Sequence, residues 1–382
     1  MENRKIRVAI THGDTNGIGY EIIFKVFNDP AMLELCTPII YGSPRIAAYH
    51  RNVLNIQANF TIISKAEDAQ EGKLNLLTTF DEEVKVELGT PSKEAGTAAL
   101  KALNRAMDDY DNGLYDVLVT APINKNNIQG ESFAFTGHTE YIENRAGNGS
   151  KALMILANSN MRVALVTTHL AVKDIAAAIT KEAVVEKATI LEHTLRRDFR
   201  ISCPRIAVLA LNPHAGDGGI LGTEEQEHII PAIKELASAG INAYGPYAAD
   251  GFFGRGTFNN FDAILAMYHD QGLAPFKALD DGSGVNFTAG LPVIRTSPDH
   301  GTAYEIAGKG IADEQSLRNA VYMAIDVFRN RKAYDEPLAD PLKKLYHEKH
   351  EDGNRQRFAI PKTKTEKKQS ATTDPASESH EA

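Results

Sequence analysis

Short apolar runs alternate along the chain with stretches whose apolar residues recur every three or four positions. The runs Ile6–Thr11, Pro38–Tyr41, Phe60–Ile63, Asp116–Thr120, Ala152–Ala157, Val163–Thr168, Ile206–Leu211 and Ala263–Tyr268 are rich in Val, Ile and Leu. That composition predicts strands covered on both faces of a sheet. Between them, Val184, Ala188, Leu191, Leu195 and Phe199 trace one apolar face of a helix, and Leu317, Val321, Ile325 and Phe328 trace another within 314–329. Thr223 followed by Gln226 has the form of a capping box, predicting a helix that ends near Gly240. Strands alternating with helices predict α/β layers with largely parallel sheets.

The pattern stops near the C-terminus. Residues 347–382 hold only two large apolar residues, Phe358 and Ile360, among evenly balanced charges. Such a segment cannot bury enough surface to offset its ordering entropy, so a disordered tail is expected. At 382 residues the chain exceeds what one hydrophobic core usually supports, and two domains are expected before the tail. Hydrophobic residues at 43% and charged residues at 24% are ordinary for a globular protein.

Because the tail's charges cancel, the rest of the chain carries the whole net charge of −9. That acidity argues against nucleic acid as a partner. Cys36 and Cys203 are too few for a disulfide framework or a Cys-rich zinc site. The first apolar run is too short for a signal-peptide core, and no stretch reaches the ~18 apolar residues of a membrane span. No membrane association and a cytoplasmic location are expected.

Three of the apolar runs lead into a histidine: His169, His214 (through Asn212-Pro213) and His269. In parallel α/β sheets the carboxyl ends of strands are where ligands bind. Neutral imidazole is the commonest protein ligand for divalent transition metals, and three of them leave positions free for catalysis. A single histidine after a strand is more often a plain hydrogen-bonded loop residue. Only the threefold recurrence makes metal binding a serious expectation. Asp270, beside His269, suits a metal partner, a general base or an orienter of the imidazole.

Lys277, Asn286 and Arg295 follow at equal spacing, with Arg295 directly after the apolar run Leu291–Ile294 and so expected at a strand end. Lys and Arg near a metal would make a positive pocket suited to phosphate or carboxylate. Thr136-Gly137-His138-Thr139-Glu140 reads as a helix start offering Thr139 and free N–H groups to an anion. Every Gly-x-Gly lacks the third glycine of the dinucleotide fingerprint, and Gly308-Lys309 is followed by Gly310, so no phosphate-binding Walker loop is present. The residues alone support a metal-assisted enzyme acting on a small anion, with lyase, hydrolase and dehydrogenase chemistry all open.

Six motifs then occur in one family's order. They are Gly13-Asp14 through Gly17-Ile18-Gly19, Thr120–Lys125, Gly137–Glu140, Asn212–Gly216, Tyr268–Leu273 and Arg295–Ser297. From Ile6 to Arg331 the chain resembles the 4-hydroxythreonine-4-phosphate dehydrogenase family of vitamin B6 biosynthesis. The run Asp299–Gly310 is also similar to the cofactor loop of isocitrate and isopropylmalate dehydrogenases, which bind NAD(P) without the Rossmann fingerprint.

The resemblance implies a two-domain isocitrate/isopropylmalate-dehydrogenase-like α/β fold with its active site in the cleft and at a homodimer interface. It implies a cofactor-side domain of residues 1–130 plus 296–346 and a metal- and substrate-binding domain of residues 131–295. By the same likeness His169, His214 and His269 hold one divalent metal ion (Zn, Co or Mg), and His138, Thr139, Lys277, Asn286 and Arg295 bind substrate. His300, Gly301, Thr302 and Ala303 bind NAD or NADP. The implied reaction oxidises 4-phosphooxy-L-threonine at its 3-hydroxyl and then releases CO2, giving 3-amino-2-oxopropyl phosphate. Asp270 or Asp250 is expected to take the hydroxyl proton, and Lys277 to steady the anion.

The family's early motif usually reads Gly-Asp-Pro-Ala-Gly-Ile-Gly-Pro-Glu, whereas Thr15, Asn16 and Tyr20 stand here in place of Pro, Ala and Pro. A dehydrogenase of a phosphorylated sugar acid is the nearest rival, followed by a metal-dependent lyase or phosphatase.

Overall fold

The computed structural model describes residues 4–80, 83–130 and 134–341. The tail expected at 347–382 lies outside them. Contacts gather Met1–Ala339 into one compact unit that holds every element discussed below.

Its strands are β1 (Arg7–Thr11), β2 (Thr37–Gly42), β3 (Phe60–Ile63), β4 (Leu74–Thr78), β5 (Val117–Thr120), β6 (Leu153–Ala157), β7 (Arg162–Leu165), β8 (Ile206–Leu209), β9 (Ala243–Tyr247), β10 (Ala263–Ala266), β11 (Val285–Ala289) and β12 (Arg295–Pro298). They form a single twelve-stranded sheet in the order β3-β4-β2-β1-β5-β12-β11-β6-β7-β10-β8-β9. Neighbours are parallel except at β12–β11, β11–β6 and β6–β7. A mixed α/β fold with a large, mostly parallel sheet is thus established.

All eight strands expected from the apolar runs are present, with those leading to the histidines ending earlier, at Leu165, Leu209 and Ala266. β4, β9, β11 and β12 were not anticipated. Two local expectations need correction. Arg295 opens β12 instead of following a strand end, so its side chain projects from the sheet. No side chain caps the helix after Thr223, which begins with the π-turn Glu225–Ile229. Glu225 is instead turned inward, where its carboxylate accepts from the backbone N–H groups of Leu211 and Asn212 at 2.8 and 2.7 Å.

Side chains alternate between the faces of a strand, so register decides what each face carries. On one face Val119, Phe287, Ile155, Ala164 and Leu265 belong to an apolar cluster that runs across the sheet. The helices Gly19–Phe27, Lys181–Arg197 and Gln315–Ala339 cover it with Phe24, Leu191 and Val321 among others. Thr180 caps the second of these by accepting from Ala183 N–H. Arg331 ties the last helix down through a buried ion pair to Asp198 at 2.8 Å.

The opposite face carries two separate clusters. One lies under the helices Lys93–Asp111 and His138–Ala146, around Tyr41, Leu103 and Leu118. The other lies under His269–Leu279, around Met154, Leu156, Val163 and Phe276. Between them Arg295 pairs with Thr288, and Ser297 with Asn286, leaving a polar strip on the central strands. No helix among the described residues is long and apolar enough to cross a membrane.

Candidate active site

A cavity of ≈ 240 Å³ stands over that strip. Thr120, Met154, Leu156, Asn286, Arg295 and Ser297 form its floor; the helices His138–Ala146 and His269–Leu279 bring His138, Thr139, His269 and Lys277 to its walls, and loops bring Lys125, His169, His300 and Gly301. The site therefore sits on a sheet face where strand direction reverses.

Arg295 is 2% exposed. Its Nε and Nη2 donate to Thr120 Oγ1 at 3.0 and 2.7 Å, and its Nη1 donates to Thr288 Oγ1 at 3.2 Å. Burial pushes the guanidinium down to about 10, with the Glu140 charge opposing that shift, so it stays cationic at neutral pH. Asn286 is half-buried, and its Oδ1 has no protein partner. A buried acceptor left this way beside a buried cation marks a place made for a polar guest.

His138 and Thr139 open the helix His138–Ala146, as the sequence suggests. Desolvation first, then the charges of Arg295 and Lys125, hold the His138 imidazole well below its usual range and keep it neutral. Thr139 Oγ1 lies 3.5 Å from Thr288 Oγ1. Lys277, on His269–Leu279, donates to the Asp299 carbonyl at 3.1 Å and pairs with its carboxylate at 3.2 Å.

His169 Nδ1 lies 3.0 Å from Glu140 Oε1, and its Nε2 lies 3.0 Å from Lys125 Nζ. Burial alone would raise Glu140, but hydrogen bonding and charge from His169 outweigh it and hold the carboxyl at about 2. An ionised Glu140 accepts a hydrogen bond from Nδ1–H, which leaves Nε2 as the lone-pair atom. His269 is held alike, with Nδ1 2.7 Å from Asp270 Oδ1. The two rings lie 6.2 Å apart between centroids.

His214 is elsewhere. It lines an adjoining cavity of ≈ 560 Å³ with Asn212, Asp250, Tyr268 and Gln271. Its loop is left-handed from His214 (φ 53°) to Gly218 (φ 66°), and Glu225 anchors the loop's first turn. Among the described residues, no three His, Cys, Asp or Glu side chains gather around a point that a metal ion would occupy.

The expected cofactor segment borders the first cavity through His300 and Gly301. Thr302 O accepts from Ile18 N–H at 3.2 Å, and a Cβ at Gly17 would stand 2.8 Å from that carbonyl, so only glycine allows the approach. Ala303 adopts φ 47°.

Asp14, which sequence reasoning did not single out, joins these loops. It accepts from Asn16 N–H at 2.9 Å, from Asn127 Nδ2 at 2.8 Å and from Tyr304 Oη–H at 2.9 Å. Lys125 and Glu140 were likewise not assigned roles, although both lie within motifs noted in the sequence. Their proximity to His169 comes from tertiary structure and has no local sequence signal.

The model of the pyridoxal phosphate biosynthetic protein PdxA family matches residues 34–324. A curated protein of Bacteroides thetaiotaomicron, named 4-hydroxythreonine-4-phosphate dehydrogenase, is 62% identical over 355 residues, covering 93% of this chain and 98% of its own. One of the same name from a Sulfurihydrogenibium species is 41% identical, covering 86% of this chain and all of its own. The crystal structure of 4-hydroxythreonine-4-phosphate dehydrogenase from Klebsiella pneumoniae superposes with a TM-score of 0.73 at 30% identity, covering 86% of this chain and 99% of that one.

Proposed function

The chain belongs to the PdxA family of vitamin B6 biosynthesis, and from that premise we propose that it oxidises 4-phosphooxy-L-threonine at its 3-hydroxyl. Hydride passes to NAD+ or NADP+, and the resulting β-keto acid loses CO2 to give 3-amino-2-oxopropyl phosphate. The observation that carries this reading is the buried, cationic Arg295 on a polar cavity floor, beside the unpartnered Oδ1 of Asn286. With Lys277, His138 and Thr139 on the walls, the cavity suits a phosphorylated substrate. His300 to Ala303 would hold the nicotinamide cofactor at the cavity margin. The reading carries with it a cytoplasmic location.

His169 and His269 suit a divalent cation, because a carboxylate takes Nδ1–H in each and leaves Nε2 as donor. Such a cation would lower the pKa of the substrate hydroxyl and favour its alkoxide. His214, on its own cavity wall, is assigned to the same set through a homodimer with the site at the interface. Asp270 or Asp250 takes the hydroxyl proton, and Lys277 steadies the developing anion. Residues 1–130 plus 296–346 would form the cofactor side and 131–295 the metal and substrate side. The order of strands supports this division, since β12 joins β5 while β11 and β6 begin the other half.

The test is reduction of NAD+ or NADP+ with 4-phosphooxy-L-threonine, set beside a phosphorylated four-carbon sugar acid and repeated after chelation. Metal-dependent reduction with the amino acid is the expected result. Turnover without nicotinamide would make the protein a lyase or phosphatase instead.

A further inference from the structure

We propose that Thr120 is a positioning residue for the site: its hydroxyl, with that of Thr288, fixes the Arg295 guanidinium without neutralising it and so sets how tightly a substrate phosphate is held. This rests on the function proposed above and names a residue which that reading leaves without a role.

Among the described residues two arginines are buried, and the chain treats them differently. Arg331 is spent on the fold. Its Nε and Nη2 donate to the two carboxylate oxygens of Asp198 at 2.8 and 2.9 Å, and its Nη1 donates to the carbonyls of Leu291 and Pro292. Arg295 has no carboxylate bonded to it among the described residues. Its Nε and Nη2 share Thr120 Oγ1, and its Nη1 takes Thr288 Oγ1. A guanidinium carries five N–H donors, so these three bonds leave two for a guest. Neutral acceptors also leave the positive charge whole, whereas a carboxylate would offset it before any anion arrived.

Strand pairing puts both threonines where they are needed. β5 and β12 run parallel with Arg295 beside Leu118, so Thr120 stands two residues further along the same face. On the other side, β11 sets Thr288 directly opposite Arg295. Branching at Cβ restricts χ1 and keeps each hydroxyl aimed at one place. Both threonines are 0% exposed, so they act on a guest through the guanidinium and do not touch it themselves.

The experiment is a double-mutant cycle on the full chain, with O-phospho-L-serine as the probe, titrated by calorimetry and by ligand-observed NMR into the millimolar range. Thr120→Val keeps the shape and removes the acceptor. It should weaken probe binding about tenfold to a hundredfold, as losing bonds to a charged group warrants, and Thr120→Ser should recover most of that loss. With substrate, Thr120→Val should raise KM far more than it lowers kcat. In the Arg295→Met background the same change should cost nothing further, because a residue that acts through Arg295 has nothing left to place. An equal loss in both backgrounds would show that Thr120 acts independently of Arg295, and would overturn the proposal. Unchanged binding in Thr120→Val would overturn it too. If Thr120→Val does not fold, Thr120→Ala set against Thr120→Ser decides by the same cycle. Wild type that binds no phosphoserine and turns over no phosphorylated substrate would sink the function proposed above, whereas binding with an additive cycle sinks only the role of Thr120.

Discussion

The two faces of the central strands share one backbone and do opposite work. On one, Phe287, Ile155 and Val119 meet three helices in an unbroken apolar cluster. On the other, one residue along in register, Arg295, Thr288, Asn286 and Ser297 interrupt two smaller clusters and make a cavity floor. Burying a guanidinium whose hydrogen-bond partners are hydroxyls weakens a fold unless something else offsets it. The continuous face does so, which is why a sheet can carry a polar site at its centre.

Breaking the apolar face should have the largest effect. Phe287→Ala, at a fully buried position, is expected to cost roughly 3–5 kcal/mol of stability in denaturant titration. Arg295→Met tests the other face. It should lower kcat/KM by about a hundred- to a thousandfold, with a thermal midpoint that holds or rises. A large fall in the midpoint would mean that Arg295 supports the fold as well as the site, and the contrast between faces would weaken.

Acid should damage the apolar side next. His12 is fully buried and stacked on Tyr20, with centroids 5.2 Å apart. Burial, aided by the neighbouring His50 charge, pushes it down to about 3, and burial brings His50 to about 4 against a bond to the Thr15 carbonyl. Both remain neutral in the folded state while the unfolded chain takes up protons below about 6.5. Stability is therefore complete above that value and falls with pH until the folded values are reached, by up to about 1.4 kcal/mol per pH unit for each histidine. Comparing denaturant midpoints at pH 7 and pH 5 should reveal the slope, and His12→Phe should flatten it. The smallest expected effect is Tyr304→Phe. Losing the bonds of its hydroxyl to Asp14 and Asn124 should cost about 1 kcal/mol, read as a several-fold rise in cofactor KM with kcat nearly constant.

The same contrast decides what could be read from sequence. Strands such as β1, β5 and β10 are apolar on both faces and stand out as runs. β11 reads Val-Asn-Phe-Thr-Ala and β12 reads Arg-Thr-Ser-Pro, because the cavity needs their polar side chains. Function erased the signal there. β9 contains Gly245 and Pro246 at the sheet edge, where propensity gives little help. His169, His269, Lys277, Asn286 and Arg295 were identifiable from motif and spacing, and they share one cavity. The hydrogen bonds of Lys125 and Glu140 to His169 depend on chain segments that meet only after folding, so spacing along the chain could not reveal them.

The central placement of β12 also sets an order of assembly. Arg295 closes onto Thr120 from 175 residues further along the chain, and β12 lies between β5 and β11. Strands β1 to β5 emerge from the ribosome long before their inner neighbour exists, and such distant pairings form slowly. The cavity floor is consequently among the last surfaces to be completed. A chain that stops before β12 would have much of its sheet but no completed cavity floor.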